Sequence, residues 1–245
     1  MGVARPTTAT IALFFLAGAN LLLLFVLLGG ANNSNPLKRF YFLEADTSRI
    51  PGAPKTSRWT FWAICGKKDG HNDCHHRNAG VPLDPPGKHN FQTKQGVPRG
   101  FIGTRHYYYI TRFFFAFYLI EMFFAVCALI AGFMACCTRI GSWISSFLTL
   151  IALVFQIVTA SLMTAGYVQG RNKFHHDGRH AKVGRYMFAF MWTSVVLLFI
   201  SSILYCIAGI APSAGKAKDE AFGKKKSNKR RKSSSGRAEK ASDYV

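Results

Sequence analysis

Four stretches of this chain are long, apolar and almost free of charge, and they limit the fold more than any other feature of its 245 residues. Residues 9–31 carry no charged side chain. As a helix, a stretch of that length reaches about 35 Å, against a hydrocarbon core of about 30 Å. A cleaved leader has an apolar core of only about 7–15 residues, so this block reads as a span. Residues 113–137 hold one charged residue, Glu121, and residues 143–168 and 187–211 hold none. Each block is longer than a typical buried helix of a soluble protein. The sequence therefore predicts a mainly α membrane protein built on a four-helix transmembrane bundle.

The polar residues fall between these blocks. A short segment, 1–8, precedes the first span. A loop of about 80 residues, 32–112, separates the first two and is long enough to fold. Residues 138–142 turn the second span into the third as a helical hairpin. Residues 169–186 form a second, polar loop, and residues 212–245 form a basic tail whose composition predicts disorder. The net charge is +20, from 31 Lys and Arg against 11 Asp and Glu. Four spans put both termini on one side. The tail has eleven basic residues, and positive charge near a membrane is retained in the cytosol. The second loop, with five basic residues, argues the other way. Cys65 and Cys74 are the two loop cysteines, and a disulfide between them needs an oxidising, extracellular side. Both termini are therefore expected in the cytosol, with both larger loops outside.

The first loop contains Trp62-x-x-Cys65-x8-Cys74, with Trp59 just upstream. This pattern resembles the signature of the claudin superfamily of four-span proteins. The resemblance implies a small extracellular β-sheet, a Cys65–Cys74 bridge between neighbouring strands, and a tryptophan anchoring the sheet on the membrane. Aromatic-rich residues 37–43 and 57–64 are the expected strands. Longer stretches resemble the fungal SUR/PalI family: Phe40-Tyr-Phe-Leu-Glu-Ala-Asp-Thr-Ser-Arg-Ile-Pro-Gly-Ala-Pro54, Ser57-Arg-Trp-Thr-Phe-Trp62 and Phe101-Ile-Gly-Thr-Arg-His-Tyr-Tyr-Tyr109. That resemblance covers nearly everything but the tail. It implies a plasma-membrane protein of eisosome-type domains, which organise lipids and neighbouring cortical proteins beside the cell wall. A second branch of the family implies an accessory subunit of ambient-pH sensing.

Other residues invite sharper readings beside plain ones. Asn20, Glu121, Gln156 and Ser201 or Ser202 fall near mid-span. An intramembrane acid is costly, so Glu121 reads as hydrogen-bonded glue or as part of a proton path. Leu148, Ala152, Gln156, Ala160 and Thr164 give the third span a small or polar face, which lets helices approach closely. Cys136 and Cys137, at the end of the second span, read either as S-acylation sites or as buried thiols.

The basic run Lys224, Lys225, Lys226, Lys229, Arg230, Arg231 and Lys232 fits anionic inner-leaflet lipid. Ser233, Ser234 and Ser235 beside it fit a phosphorylation switch. All eight histidines fall outside under this topology, and His71, His75 and His76 match no common zinc spacing. A charge response to acidification and simple solvation both remain open for them. The Asn32-Asn33-Ser34 sequon lies against the first span and is expected to be unused. The terminal Asp243-Tyr244-Val245 resembles claudin tails that bind PDZ domains. No nucleophile–base constellation, phosphate loop or repeated transporter half stands out. The expected protein has no catalytic residues, no metal or other cofactor and no nucleic-acid partner. It acts through lipids, cortical membrane proteins and contacts with its own copies.

Overall fold

The structure is a computed structural model, and it describes residues 4–31, 35–75, 78–135 and 138–210. The tail, Cys136 and Cys137, the sequon and His76 lie outside the described residues. Four helices form the bundle: α1 (Ala4–Leu28), α2 (His106–Ala135), α3 (Arg139–His176) and α4 (Arg185–Ile210). All four are long and apolar enough to cross a membrane. Large apolar side chains such as Phe14, Phe123, Phe147 and Phe199 remain exposed around the bundle. In water such a surface would drive aggregation, whereas in lipid it is simply solvated.

Small residues let the helices approach. Ala125, Ala128, Gly132 and Ala135 line the buried stripe of α2. Serines from the neighbouring helices hydrogen-bond to backbone across the contacts. Ser145 Oγ donates to the Ala128 carbonyl (3.1 Å), Ser142 Oγ to Ala135 (3.2 Å), and Ser201 Oγ to Ala12 (2.9 Å). On the predicted small face of α3, Ala152, Gln156 and Ala160 are fully buried.

At one end of the bundle sits a five-stranded antiparallel sheet: β1 (Leu43–Asp46), β2 (Thr56–Trp59), β3 (Ile64–Lys68), β4 (His71–Asp73) and β5 (Ala181–Val183). The order is β4-β3-β2-β1-β5. The first loop thus supplies four strands in a meander, and the second loop adds β5 against β1. Side chains alternate across the pleat. The row Val183–Leu43–Trp59–Ile64 is apolar, and the adjacent row Lys182–Glu44–Arg58–Cys65 carries the charges and the cysteine.

Several expectations from the sequence need adjusting: among them, α2 starts at His106 rather than at Phe113, and α1 at Ala4 rather than at Ala9. Residues 37–43 are not a strand. Leu37–Arg39 is a 3-10 turn, and β1 begins only at Leu43. The aromatic content that suggested a strand serves packing instead: Phe40 meets Phe190 of α4 at 5.4 Å, and Phe42 stacks on Tyr167 of α3 at 5.1 Å. Residues 57–64 are likewise not one strand, because Thr60–Ala63 turn the β2–β3 hairpin. Finally, α3 overruns both expected limits. It starts at Arg139, where the Thr138 hydroxyl caps it by accepting from the Gly141 amide, and it continues to His176. The connection from α2 is therefore tighter than 138–142, and the first part of the predicted second loop is helix.

Candidate functional site: the junction of sheet and bundle

The candidate residues of the first loop meet where the sheet rests on the helix ends. Cys65 and Cys74 are bonded (Cα–Cα 4.3 Å), as the resemblance implied, and the bridge ties β3 to the end of β4. Trp62 lies at the tip of the β2–β3 hairpin. Its indole Nε1 donates to the Leu27 carbonyl (2.5 Å), one of the carbonyls that the last turn of α1 leaves open. The ring packs edge-on to Phe115 of α2. The anchor is therefore made to the end of α1 and to the side of α2. Just beyond, Gly30 adopts a left-handed conformation (φ +84°) against Thr60 of the same hairpin, where a side chain would collide with the threonine.

Trp59, the other tryptophan of the motif, is fully buried. Its Nε1 donates to Asn90 Oδ1 (3.0 Å), and its ring packs on Phe91 and on Phe174. Phe174 belongs to the overrunning end of α3 and also meets Phe101 at 5.3 Å. A continuous aromatic column follows: Phe42 contacts Phe61 at 4.6 Å, and Phe61 contacts Tyr118 of α2 at 5.2 Å. Tyr118 ends the column by donating its hydroxyl to the Leu23 carbonyl of α1 (2.7 Å). Aromatic pairs of this kind add about 0.5–1.5 kcal/mol each beyond their burial.

Sequence reasoning missed the charged centre of the sheet. Glu44 is almost completely buried and accepts from Arg58 Nε (2.7 Å) and Lys67 Nζ (3.2 Å), with Lys182 Nζ at 3.4 Å. One carboxylate thus collects cations from β2, β3 and β5. Burial pushes the Glu44 carboxyl up, but the Arg58 hydrogen bond and charge, helped by Lys67 and Lys182, outweigh it. The group is held below the usual carboxylate range. Arg58 continues through Nη1 to the Gly70 carbonyl (3.0 Å) and Asn72 Oδ1 (2.9 Å), and it lies 4.4 Å over the Tyr41 ring. Asn72 Nδ2 donates to the Phe40 carbonyl (2.6 Å). Residues 14 positions apart in sequence, with no local pattern, give no signal for such a pair. Arg179 pins the two loops together, donating to Asp177 Oδ2 (2.8 Å) and to the Gly96 carbonyl.

Within the bundle, three of the four mid-span polar positions hydrogen-bond across helices, Ser201 through the bond to Ala12 given above. Asn20 Nδ2 donates to the Ala125 carbonyl of α2 (3.2 Å), and Gln156 Nε2 donates to Met191 O (3.0 Å) and Ser194 Oγ (2.6 Å) of α4. Glu121 is fully buried on the stripe between Tyr118 and Ala125, and its two carboxylate oxygens have no hydrogen-bond partner among the described residues. Its Tyr118 neighbour spends its hydroxyl on Leu23. Among the described histidines, His75 lies 3.1 Å from Asp73, and the rings of His175 and His180 are 6.5 Å apart.

Over most of its length the chain is similar to known proteins. A family model described as "SUR7/PalI family" matches residues 8–204. "Protein SUR7" of Candida albicans is 40% identical over 203 residues, covering 82% of this chain and 74% of the relative. "Protein SUR7" of Saccharomyces cerevisiae is 36% identical over 197 residues, covering 79% of this chain and 65% of the relative. An "Uncharacterized plasma membrane protein" of the same yeast is 33% identical over 198 residues, covering 79% of this chain and 65% of the relative. The match thus spans less than two thirds of each of these two yeast proteins.

Proposed function

Because the chain belongs to the SUR7/PalI family, we propose that it is a non-catalytic organiser of plasma-membrane domains of the eisosome type, linked to cell-cortex and cell-wall organisation. The observation that carries this reading is the junction itself. Two loops close one disulfide-bonded sheet, and that sheet is fixed to the helix ends by the Trp62–Leu27 bond and the Phe42–Phe61–Tyr118 column. The protein thereby presents a rigid polar platform on one side of the membrane and a broad apolar flank to lipid, which suits lateral contacts. Its partners on this reading are membrane lipids, other cortical membrane proteins and further copies of the chain. A relative's description as a plasma membrane protein supports the same location here. On this reading both termini lie in the cytosol, which the basic tail and the oxidising side that a Cys65–Cys74 bridge requires support. Live imaging of a tagged copy tests the proposal: static cortical patches are expected. A diffuse signal, together with loss of alkaline adaptation on deletion, would replace this reading with the pH-sensing one.

A further inference from the structure

A groove of about 440 Å³ opens between the sheet-side end of α3, strand β5 and the first turn of α4. Its composition is divided by height. Thr164, Val168 and Phe188 form a mainly apolar floor, while Arg171, His175, Lys182 and Arg185 form the rim. Among the described residues, no carboxylate lines it. The floor lies at the edge of the apolar length of α3, which the residues from Gln169 onward leave. Trp192, nearly half exposed, donates Nε1 to Thr164 Oγ1 of the floor (3.3 Å). Tyr186, in the first turn of α4, is also exposed. Aromatic residues facing lipid at such a height mark the boundary between acyl chains and head groups. The groove therefore has its apolar part at acyl depth and its cationic part at head-group depth.

The rim carries an excess of positive charge. Arg171, among the described residues, bonds only the neutral Asn172, through Nε (3.2 Å) and Nη2 (2.9 Å). Among the described residues, neither Arg171 nor Arg185 has a carboxylate within ion-pair distance. Lys182 reaches Glu44 at 3.4 Å, but that carboxylate is already shared with Arg58 and Lys67. His175 donates Nε2 to the Ala181 carbonyl (2.7 Å), which fixes its ring at the groove wall. Fixed guanidinium groups match phosphate oxygens well, since their forked donors bind in pairs. The volume also lies within the range of small-ligand sites.

We propose that this groove binds the phosphate head of one membrane lipid in the leaflet on the sheet's side, with an acyl chain along Val168 and Phe188. The inference rests on the membrane placement of the helices alone, and it stands whether or not the chain organises domains. The floor separates this occupant from a soluble anion, which gains nothing from apolar contact.

The test uses the full chain in phosphatidylcholine nanodiscs containing a photoactivatable phosphatidylglycerol, with labelled peptides identified by mass spectrometry. Labelling is expected within residues 164–188 and should be displaced by unlabelled phosphatidylglycerol. R171Q/R185Q should lower it about tenfold, as loss of charge-assisted contacts predicts. Labelling of the basic tail should stay unchanged, which separates the two lipid-binding regions. Exposed Lys55 and Lys68 supply the control: K55Q/K68Q should label like wild type. An intact Cys65–Cys74 bridge reports that the variants are folded. Should the double variant lose it, the single exposed-site variant R185E is read instead, with the same expectation. Unchanged labelling in the groove variants, or an equal drop in the control, overturns the proposal. So does competition by free inorganic phosphate as effective as that by lipid, since the occupant would then be a soluble anion.

Discussion

Glu44 is the residue on which most of the sheet's charge converges, and its removal has a calculable direction. Replacing it with Gln strands the Arg58 guanidinium, itself almost fully buried, without a counter-charge. Breaking one partner of a buried pair costs about 3–5 kcal/mol, so Glu44→Gln should melt well below wild type at neutral pH in detergent. The pH dependence follows from the lowered carboxyl. A depressed folded value means that the contribution is complete above the unfolded value of about 4.3 and is lost as pH falls through the folded one. The gap in melting temperature between wild type and Glu44→Gln should therefore be wide at pH 7 and narrow progressively as pH falls below the unfolded value of about 4.3. A gap that does not narrow at all on acidification would assign the stabilisation to shape alone. Glu121 carries the opposite expectation. Its oxygens are buried without a hydrogen-bond partner among the described residues, and replacing an unsatisfied group with an apolar one of similar shape is neutral or stabilising. Glu121→Met should melt at or above the wild-type temperature, and a fall of several degrees would show that the acid is bonded in the membrane. At this scale the sequence marked which mid-span residues are polar by depth alone, but not which would find partners. Asn20 and Gln156 did so because Ala125 and Ser194 come within reach on neighbouring helices.

Among the elements, the β2–β3 hairpin does most to seat the sheet. Trp62→Phe keeps the packing on Phe115 and deletes only the bond to Leu27, so it should cost about 1–3 kcal/mol for the stranded carbonyl. Chemical denaturation in mixed micelles would measure it, and a Trp62→Phe protein as stable as wild type would reduce the indole nitrogen to a bystander. Losing the Cys65–Cys74 bridge through paired Ser substitutions should cost about 2–4 kcal/mol. Non-reducing peptide mapping of the inserted wild-type protein should recover the bonded pair, and free thiols there would contradict the fold. The spans and the Trp-x-x-Cys pattern were legible because length and spacing are local properties. Strand β5 was not: three residues, Ala181–Val183, are too few for alternation to register. Nor was the outer end of α3, since Gln169–His176 is polar and its helicity is decided by Phe174 packing on Trp59 and Phe101. Gly184 belongs with these silent signals. It lies so near the Tyr41 carbonyl that any side chain would collide with backbone, which is how β5 can lie beside β1 and turn straight into α4.

For the whole molecule, the distribution of charge assigns different work to the two sides of the membrane. The tail, outside the described residues, has eleven basic and four acidic residues from Pro212 onward, a formal +7. Near an anionic surface each basic residue contributes about 1 kcal/mol, and each phosphate on Ser233, Ser234 or Ser235 would add about −1.5 to −2 charges. A peptide of residues 212–245 should bind vesicles containing phosphatidylserine, release them as salt rises, and bind far more weakly when triply phosphorylated. Equal binding by both forms would leave the tail only a part in setting topology. Four spans and a paired outer loop were readable from the whole sequence. The depth to which the sheet's aromatics penetrate the bundle was not, because that depends on the gap left between helix ends.

Helix α3 has one more implication. Its 38 residues form an uninterrupted rod of about 57 Å, nearly twice the hydrocarbon thickness, and its far end is part of the sheet's own core. No joint lies between the portion solvated by lipid and the portion gripping Trp59. A bilayer that thins makes long helices lean, and here the platform must lean with them. A change in bilayer thickness would therefore change the angle at which the sheet's face is held beside the membrane.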